Sequence, residues 1–468
     1  MREYQIKMEP FQFIALRKLE IRNSVNEHAS AEIAVCIRDE WKAPYLETLM
    51  EGTWVKIIGA GEEGDGGAAV HTVLFHGPVT DFSFSGDGYE TVLQMSLASG
   101  TVLMDTEPHF RVFQNENTPC PAIHQKIAGC YKEGQAVCME GKDARTGGVL
   151  VQYRETDWAF LKRLAGRNGS YLVPDVSDRG CRYTVGLPEG IRQTVPEDRI
   201  SVRFDRTEHL KKTQGGMPHL QPEDLMELVF TEREIFRLGD SISHQGAVYY
   251  LWKSETVYDG EECVHTYHFR TKEAIAVTAI PHKEAIGCSF DATVSGVRKD
   301  RVQVTVAQDE WGAQDGKKWF PYATVYSSAD GTGWYCMPET GDSVRLYVPE
   351  KEEDSFVLSA VHKETDQARQ NPDHKSFKTK YGKEILFTPQ SILMTNNKGM
   401  MVMLDDSEGI TINSDRDIVI EAQDSLTISS AQESLLIAAD DVLQVKQGGT
   451  SMTLSGDISF TGGEFRIQ

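Results

Sequence analysis

The chain has 468 residues and 40% apolar content, enough for about three domains with cores of their own. A formal net charge of −22 argues against nucleic acid and anionic membrane surfaces as partners. Forty glycines, seventeen prolines and few long 3.6-period runs point to a mainly β protein.

The first residues, Met1-Arg-Glu-Tyr-Gln-Ile-Lys, contain no long apolar stretch, so no signal peptide is expected, and no run of eighteen apolar residues is present to span a bilayer. The cysteines (Cys36, Cys120, Cys130, Cys138, Cys181, Cys263, Cys288 and Cys336) lack the spacing of a secreted disulfide scaffold. Reduced thiols in a protein folded in the cytoplasm are the expectation.

Residues 1 to about 100 alternate in the manner of strands, as in Ala31-Glu-Ile-Ala-Val-Cys-Ile and Thr91-Val-Leu-Gln-Met-Ser-Leu, and their spacing is barrel-like. Gly59-Ala-Gly61-Glu-Glu-Gly64 matches the letters of a dinucleotide fingerprint. A phosphate cradle needs a helix behind it, however, and here a strand pattern follows, while Glu62, Glu63 and Asp65 repel phosphate. A hairpin loop is the preferred reading.

Residues 101–150 are less regular. Cys120, His124, Cys130 and Cys138 could supply four soft ligands, but three, five and seven intervening residues match no common zinc pattern, so buried thiols are favoured. Next, Thr156 is a natural N-cap, with Asp157 in the first turn of a helix that presents Trp158, Leu161 and Ala165 on one face. Gly166 and Asn168-Gly169 end it. Asn168-Gly-Ser spells a glycosylation acceptor that is inert without secretory export. Further strands follow to about residue 282. Among them Cys263 and His265 share a face and His268 points away, again read as structural.

From Gly287 to His362 comes a compact β unit of five or so short strands, the size of a small OB-type barrel, with Val302, Val304 and Val306 alternating, then Val344, Leu346 and Val348. Residues 363–376 are polar and contain a proline, as a linker does.

Beyond the linker lies a run of apolar pairs, each with one residue between. They are Ile385/Phe387, Ile392/Met394, Val402/Leu404, Ile410/Ile412, Ile418/Ile420, Leu426/Ile428, Leu435/Ile437, Leu443/Val445, Met452/Leu454, Ile458/Phe460 and Phe465/Ile467. From Val402 to Leu426 the step is eight residues. Each pair puts two side chains on one strand face, and turn-forming Asp, Ser, Asn, Gln and Gly separate the pairs. Eight residues cannot close a single-chain coil, for which about twenty are needed. Three copies wound about one axis can bury the pairs, each chain giving one wall per turn of a triangular prism. The expected trimer core is Val402, Leu404, Ile410, Ile412, Ile418, Ile420, Leu426, Ile428, Leu435, Ile437, Leu443 and Val445. Paired carboxylates such as Asp405/Asp406 and Asp440/Asp441 point to opposite strand faces and cannot flank one glycosidic bond, so they read as turn residues.

Three features in order carry a resemblance. Tyr153-Arg-Glu-Thr-Asp-Trp-Ala-Phe-Leu-Lys-Arg-Leu looks like a hub motif, Trp334-Tyr-Cys-Met-Pro-Glu-Thr-Gly-Asp-Ser-Val-Arg-Leu like an OB-domain signature, and the pair-bearing tail completes the set. The sequence resembles the VgrG spike family of type VI secretion and related contractile injection machines, akin to phage hub-and-spike proteins. The resemblance implies a phage-hub-like domain over residues 1–282 with two barrel-like modules, an OB-fold over 283–365, and a linker with a trimeric intertwined β-helix over 366–468. It further implies a hub that adapts a six-fold tail tube to a three-fold spike. The implied partners are two further copies, an Hcp-like tube, baseplate proteins, effector cargo and the target envelope. No fused toxin domain is expected after the prism, and with no histidine after His374 in this sequence a separate PAAR-type tip is implied. Neither catalysis nor a cofactor is expected. Assembly in the cytoplasm and delivery outward as part of a particle follow. The enzymatic alternative is a trimeric tailspike that degrades surface glycan, and a trimeric surface adhesin is the binding alternative.

Overall fold

The structure is a computed structural model that describes residues 5–61, 70–86, 90–258, 260–314, 316–362, 370–464 and 466. It divides into two units, Met1–Lys363 and Glu364–Gln468. The chain is mainly β, as its composition implies. Among the described residues no helix is long and apolar enough to cross a membrane.

The first unit is built on an 11-stranded sheet. Gln5–Glu9, Trp54–Gly61, Val70–Gly86, Thr91–Ala98, Ser30–Ile37 and Ala15–Ser24 follow one another across it, and buried residues alternate along Trp54–Gly61, Thr91–Ala98 and Ser30–Ile37. Ala15–Ser24 then pairs with Ala247–Tyr258, which continues into Cys263–Arg270, Met226–Glu232 and Ser201–Phe204. This join makes one sheet from the first hundred residues and residues 201–270. Pairing brings Gly61 opposite Val70, so the glycine-rich loop closes an antiparallel hairpin. Glu62, Glu63, Gly64 and Asp65 at its tip lie outside the described residues.

The helices Cys120–Ala128 and Asp157–Gly166 pack in a separate core around Trp158, Phe160, Leu161, Leu164 and Tyr183. Thr156 caps the second helix, its hydroxyl accepting from the Ala159 amide at 3.3 Å. Residues 289–358 form a five-stranded antiparallel sheet in the order Phe320–Pro321, Arg301–Val306, Ser289–Arg298, Ser343–Tyr347, Phe356–Leu358. The alternating valines expected to face inward do so. Their core also takes in Val112 and Val151 from the strand pair Pro108–Phe113 and Leu150–Thr156, and Val149 just before it, so the apolar interior runs on from that pair into this sheet.

The second unit contains two antiparallel meanders. Lys375–Lys378, Glu384–Phe387, Ser391–Thr395, Met401–Asp405 and Gly409–Asn413 make one, and Leu443–Gln447, Thr450–Leu454 and Ile458–Thr461 the other. Residues 414–442 contain no strand. Residues 363–369 of the linker, and Phe465 and Ile467 of the last pair, lie outside the described residues.

Candidate functional site: the repeat face and the hub joint

The register of the first meander sets the apolar pairs against one another. Ile385 lies opposite Met394 and Phe387 opposite Ile392, then Ile392 opposite Leu404, Met394 opposite Val402, Leu404 opposite Ile410 and Val402 opposite Ile412. One face therefore carries them all, as the one-residue spacing demands. Between Lys375 and Asn413 the strands pair within the chain rather than giving one wall per turn. The reason is local: tight turns return the chain antiparallel. Asp405 accepts from the amides of Ser407 and Glu408, Asn396 from those of Lys398 and Met400, and Thr388 from those of Gln390 and Ser391. Asp405 is thus a turn residue, as read from the sequence.

Through residues 414–442 the pairs Ile418/Ile420, Leu426/Ile428 and Leu435/Ile437 are all more than half exposed. Of the twelve expected core residues, Ile410 is the most exposed at 72%, and Val402 and Leu443 are half-buried. Among the described residues, no amide of 414–442 donates to a backbone carbonyl. An apolar groove of about 590 Å³ opens beside Phe377, Ile385, Met394, Val402, Ile412 and Ile418.

The hub motif holds a second cluster, which its sequence alone does not disclose. Asp157, expected to serve the helix end, is fully buried. Its carboxylate accepts from Arg111, from Gln152 Nε2 at 2.8 Å and from the Tyr131 hydroxyl at 2.9 Å. Arg111 Nε reaches on to Glu310 Oε2 at 3.1 Å, and His109 Nδ1 lies 3.0 Å from the same oxygen. Burial would raise the Glu310 pKa, but the Phe110 amide and the charges of Arg111 and His109 outweigh it and hold the carboxyl below its usual range. Further along the helix, Arg163 binds Glu155 through Nη2 at 2.9 Å and Glu352 through Nη1 at 2.8 Å, and Glu352 also accepts from the Val151 amide at 3.2 Å. Burial raises the Glu155 pKa even with Arg163 beside it. Glu310 and Glu352 belong to the 289–358 segment, so two ion clusters tie the helix to it, one buried at Glu352 and one reaching the surface at Glu310.

The soft-ligand candidates do not assemble. His124 Nδ1 lies 3.1 Å from the Tyr183 hydroxyl, and burial pulls the imidazole pKa to about 3. Cys130 is exposed and donates to the Lys126 carbonyl. Burial raises the pKa values of Cys120 and Cys138 and pushes that of Cys181 up to about 12, keeping these thiols protonated. Among the described residues no group of three or more His, Cys, Asp and Glu side chains is placed to hold a metal. Cys263 and His265 are both buried, and His265 Nδ1 lies 2.7 Å from the Thr256 hydroxyl. His268 faces Glu227 on the other side of the sheet, at 3.4 Å.

Residues 61–216, which include the hub motif, match the family model of the phage tail baseplate hub (GPD). The fold of the chain is VgrG-like. It is similar to the E. coli c3393 protein, a type VI secretion component with structural similarity to the T4 bacteriophage tail proteins gp27 and gp5. The identity there is 14%, 76% of this chain and 100% of that chain are covered, and the TM-score is 0.50. It is also similar to a chain of the Francisella PdpA-VgrG complex in its half-lidded form, at 10% identity with 88% of each chain covered and a TM-score of 0.53. For the lidded form of that complex the values are 8% identity, 85% of this chain and 76% of that chain, and a TM-score of 0.55. A search of curated protein sequences gives no match. At these identities the structural likeness concerns the fold alone.

Proposed function

We propose that this chain is the non-enzymatic central spike of a contractile injection machine, acting as a homotrimer. The observation that carries this reading is residues 414–442, where regularly spaced apolar pairs and unpaired backbone follow a baseplate-hub domain. Each such side chain gains about 1.5–3 kcal/mol when buried, so winding three chains together supplies a driving force that one chain lacks. Continuous pairing between chains makes the needle stiff, and stiffness carries the contraction force into the target envelope.

In this reading the first unit meets the tail tube (Hcp-like) and baseplate proteins, and a PAAR-type protein with any effector cargo sits at the tip. The particle assembles in the cytoplasm and is delivered outward. Electron microscopy of the purified full chain tests it. Three-fold particles bearing a thin needle are expected; isolated globular protomers would contradict it.

A further inference from the structure

Four adjacent strands at one end of the 11-stranded sheet are Ala247–Tyr258, Cys263–Arg270, Met226–Glu232 and Ser201–Phe204. They turn Leu228, Leu251 and Phe269 to an apolar core. Pairing fixes what the other face carries. Arg203 lies opposite Glu227, and Val229, two residues on, lies opposite His268. Arg270 is two residues beyond His268. Directly paired residues share a face, as do residues two apart in one strand, so Arg203, Glu227, His268 and Arg270 all project away from the core. Lys253 joins them through a β-bulge. Leu251 lies opposite Phe269 and Lys253 opposite His268, so Trp252 is the extra residue. Without it Lys253 would share the core face with Leu251; bulges re-aim side chains in this way and are frequent beside functional sites. These residues, with Asp205 and Trp252, line a cavity of about 190 Å³.

We propose that this cavity is an oxyanion site, in which Arg203, Lys253 and His268 hold a free ion of the phosphate class. The other groups around it are spent on one another. Glu227 Oε1 accepts from Arg270 Nε and from Trp252 Nε1, both at 3.1 Å. The Arg270 guanidinium lies 4.2 Å from the centre of the Trp252 ring and gives Nη1 to Glu208 at 2.8 Å. Asp205 caps the helix Arg206–Gln214, accepting from the Thr207 and Glu208 amides at 2.8 and 3.1 Å. Two donors stay uncommitted. Among the described residues the Arg203 guanidinium pairs with no carboxylate. His268 is 9% exposed, and its Nδ1, 3.4 Å from Glu227 Oε2, makes no hydrogen bond. A buried polar nitrogen left without a partner is costly, and a bound oxyanion supplies one. Lys253, which pairs with Glu255 at 2.7 Å, adds a further cation. The donors come from three different strands. That suits the several directions of a tetrahedral oxyanion better than one planar carboxylate, and the guanidinium fork matches two of its oxygens. The ion ties the edge strand Ser201–Phe204 to the two strands beyond its neighbour.

Calorimetry and hydrogen exchange on the full chain test the site, with low-millimolar inorganic phosphate compared with chloride at equal ionic strength. One phosphate per protomer is expected, with exchange slowed in peptides covering 201–204 and 263–270. Arg203 is exposed and unpaired, so Arg203→Met should melt like the parent in chloride, yet bind phosphate about tenfold or more weakly and lose the protection. Lys253→Met should weaken binding in the same direction. Arg206→Met, outside the cavity, should bind as the parent does. No binding heat in the parent, equal affinity in Arg203→Met, or protection spread evenly over the first unit would overturn the site. Acetate should protect less, and equal protection by acetate would overturn the phosphate class.

Discussion

Truncating Glu352 probes the joint between the hub helix and the 289–358 sheet. Its carboxylate is 6% exposed, lies 2.8 Å from Arg163 Nη1 and accepts from the Val151 amide at 3.2 Å. Opposite charges about 4 Å apart attract by about 4 kcal/mol at an effective dielectric of 20. In Glu352→Ala, Arg163 keeps Glu155 and the Val151 carbonyl, which compensates part of that loss. The Val151 amide, however, is left without its acceptor, a cost of about 1–3 kcal/mol. The expected net destabilisation is about 3 kcal/mol, at the lower end for a broken buried pair. Glu352→Gln keeps an oxygen for both donors and should cost about half as much. The neighbouring Glu353, 42% exposed and 3.9 Å from Arg167, should cost under about 0.5 kcal/mol on truncation. Urea unfolding followed by tryptophan fluorescence measures all three. A Glu352→Ala chain as stable as the parent, or a Glu353→Ala chain equally weakened, would refute the reasoning.

Ile420→Asp puts three charges near the proposed axis and should abolish or strongly weaken assembly, whereas Asp at Val419, which points the other way, should leave the particle yield unchanged; equal yields from the two variants would contradict inward placement. Burial holds His124, His265 and His282 neutral, at about 3, about 4 and about 4, while in the unfolded chain each titrates near 6.5. As pH falls from 6.5 towards 4 the unfolded state takes up protons that the folded state refuses, so each imidazole removes roughly 1.4 kcal/mol per pH unit. Urea midpoints should drop across that window, and His265→Gln should make the drop shallower. Gly77→Ala would place a Cβ 1.9 Å from the Ala98 carbonyl oxygen, a backbone clash expected to cost about 3 kcal/mol or more, against a near-neutral Gly449→Ala, which meets open space. Thermal unfolding compares the two.

What the sequence disclosed was local. The Thr156 cap, the apolar face of the helix behind it and the alternating valines of the 289–358 sheet rest on periods of two and 3.6, which a single strand or helix displays by itself. The apolar pairs were legible for the same reason. Asp157 was read as serving the helix end because its partners are remote in sequence. Arg111, Glu310 and Glu352 lie in other segments, and no spacing rule connects them to the hub motif. The antiparallel ladder of Lys375–Asn413, by contrast, left a signal in the chain. Asn396-Asn-Lys-Gly and Asp405-Asp-Ser-Glu-Gly are hairpin turn sequences, and the pairs before Val402 are unevenly spaced. Reading all pairs as one winding gave their common apolar face more weight than the turns between them.

The mass of the intact chain in solution tests the central claim most directly. Light scattering on folded, concentrated protein should return three times the 52.3 kDa of one protomer. A folded species of one protomer's mass at that concentration would contradict it.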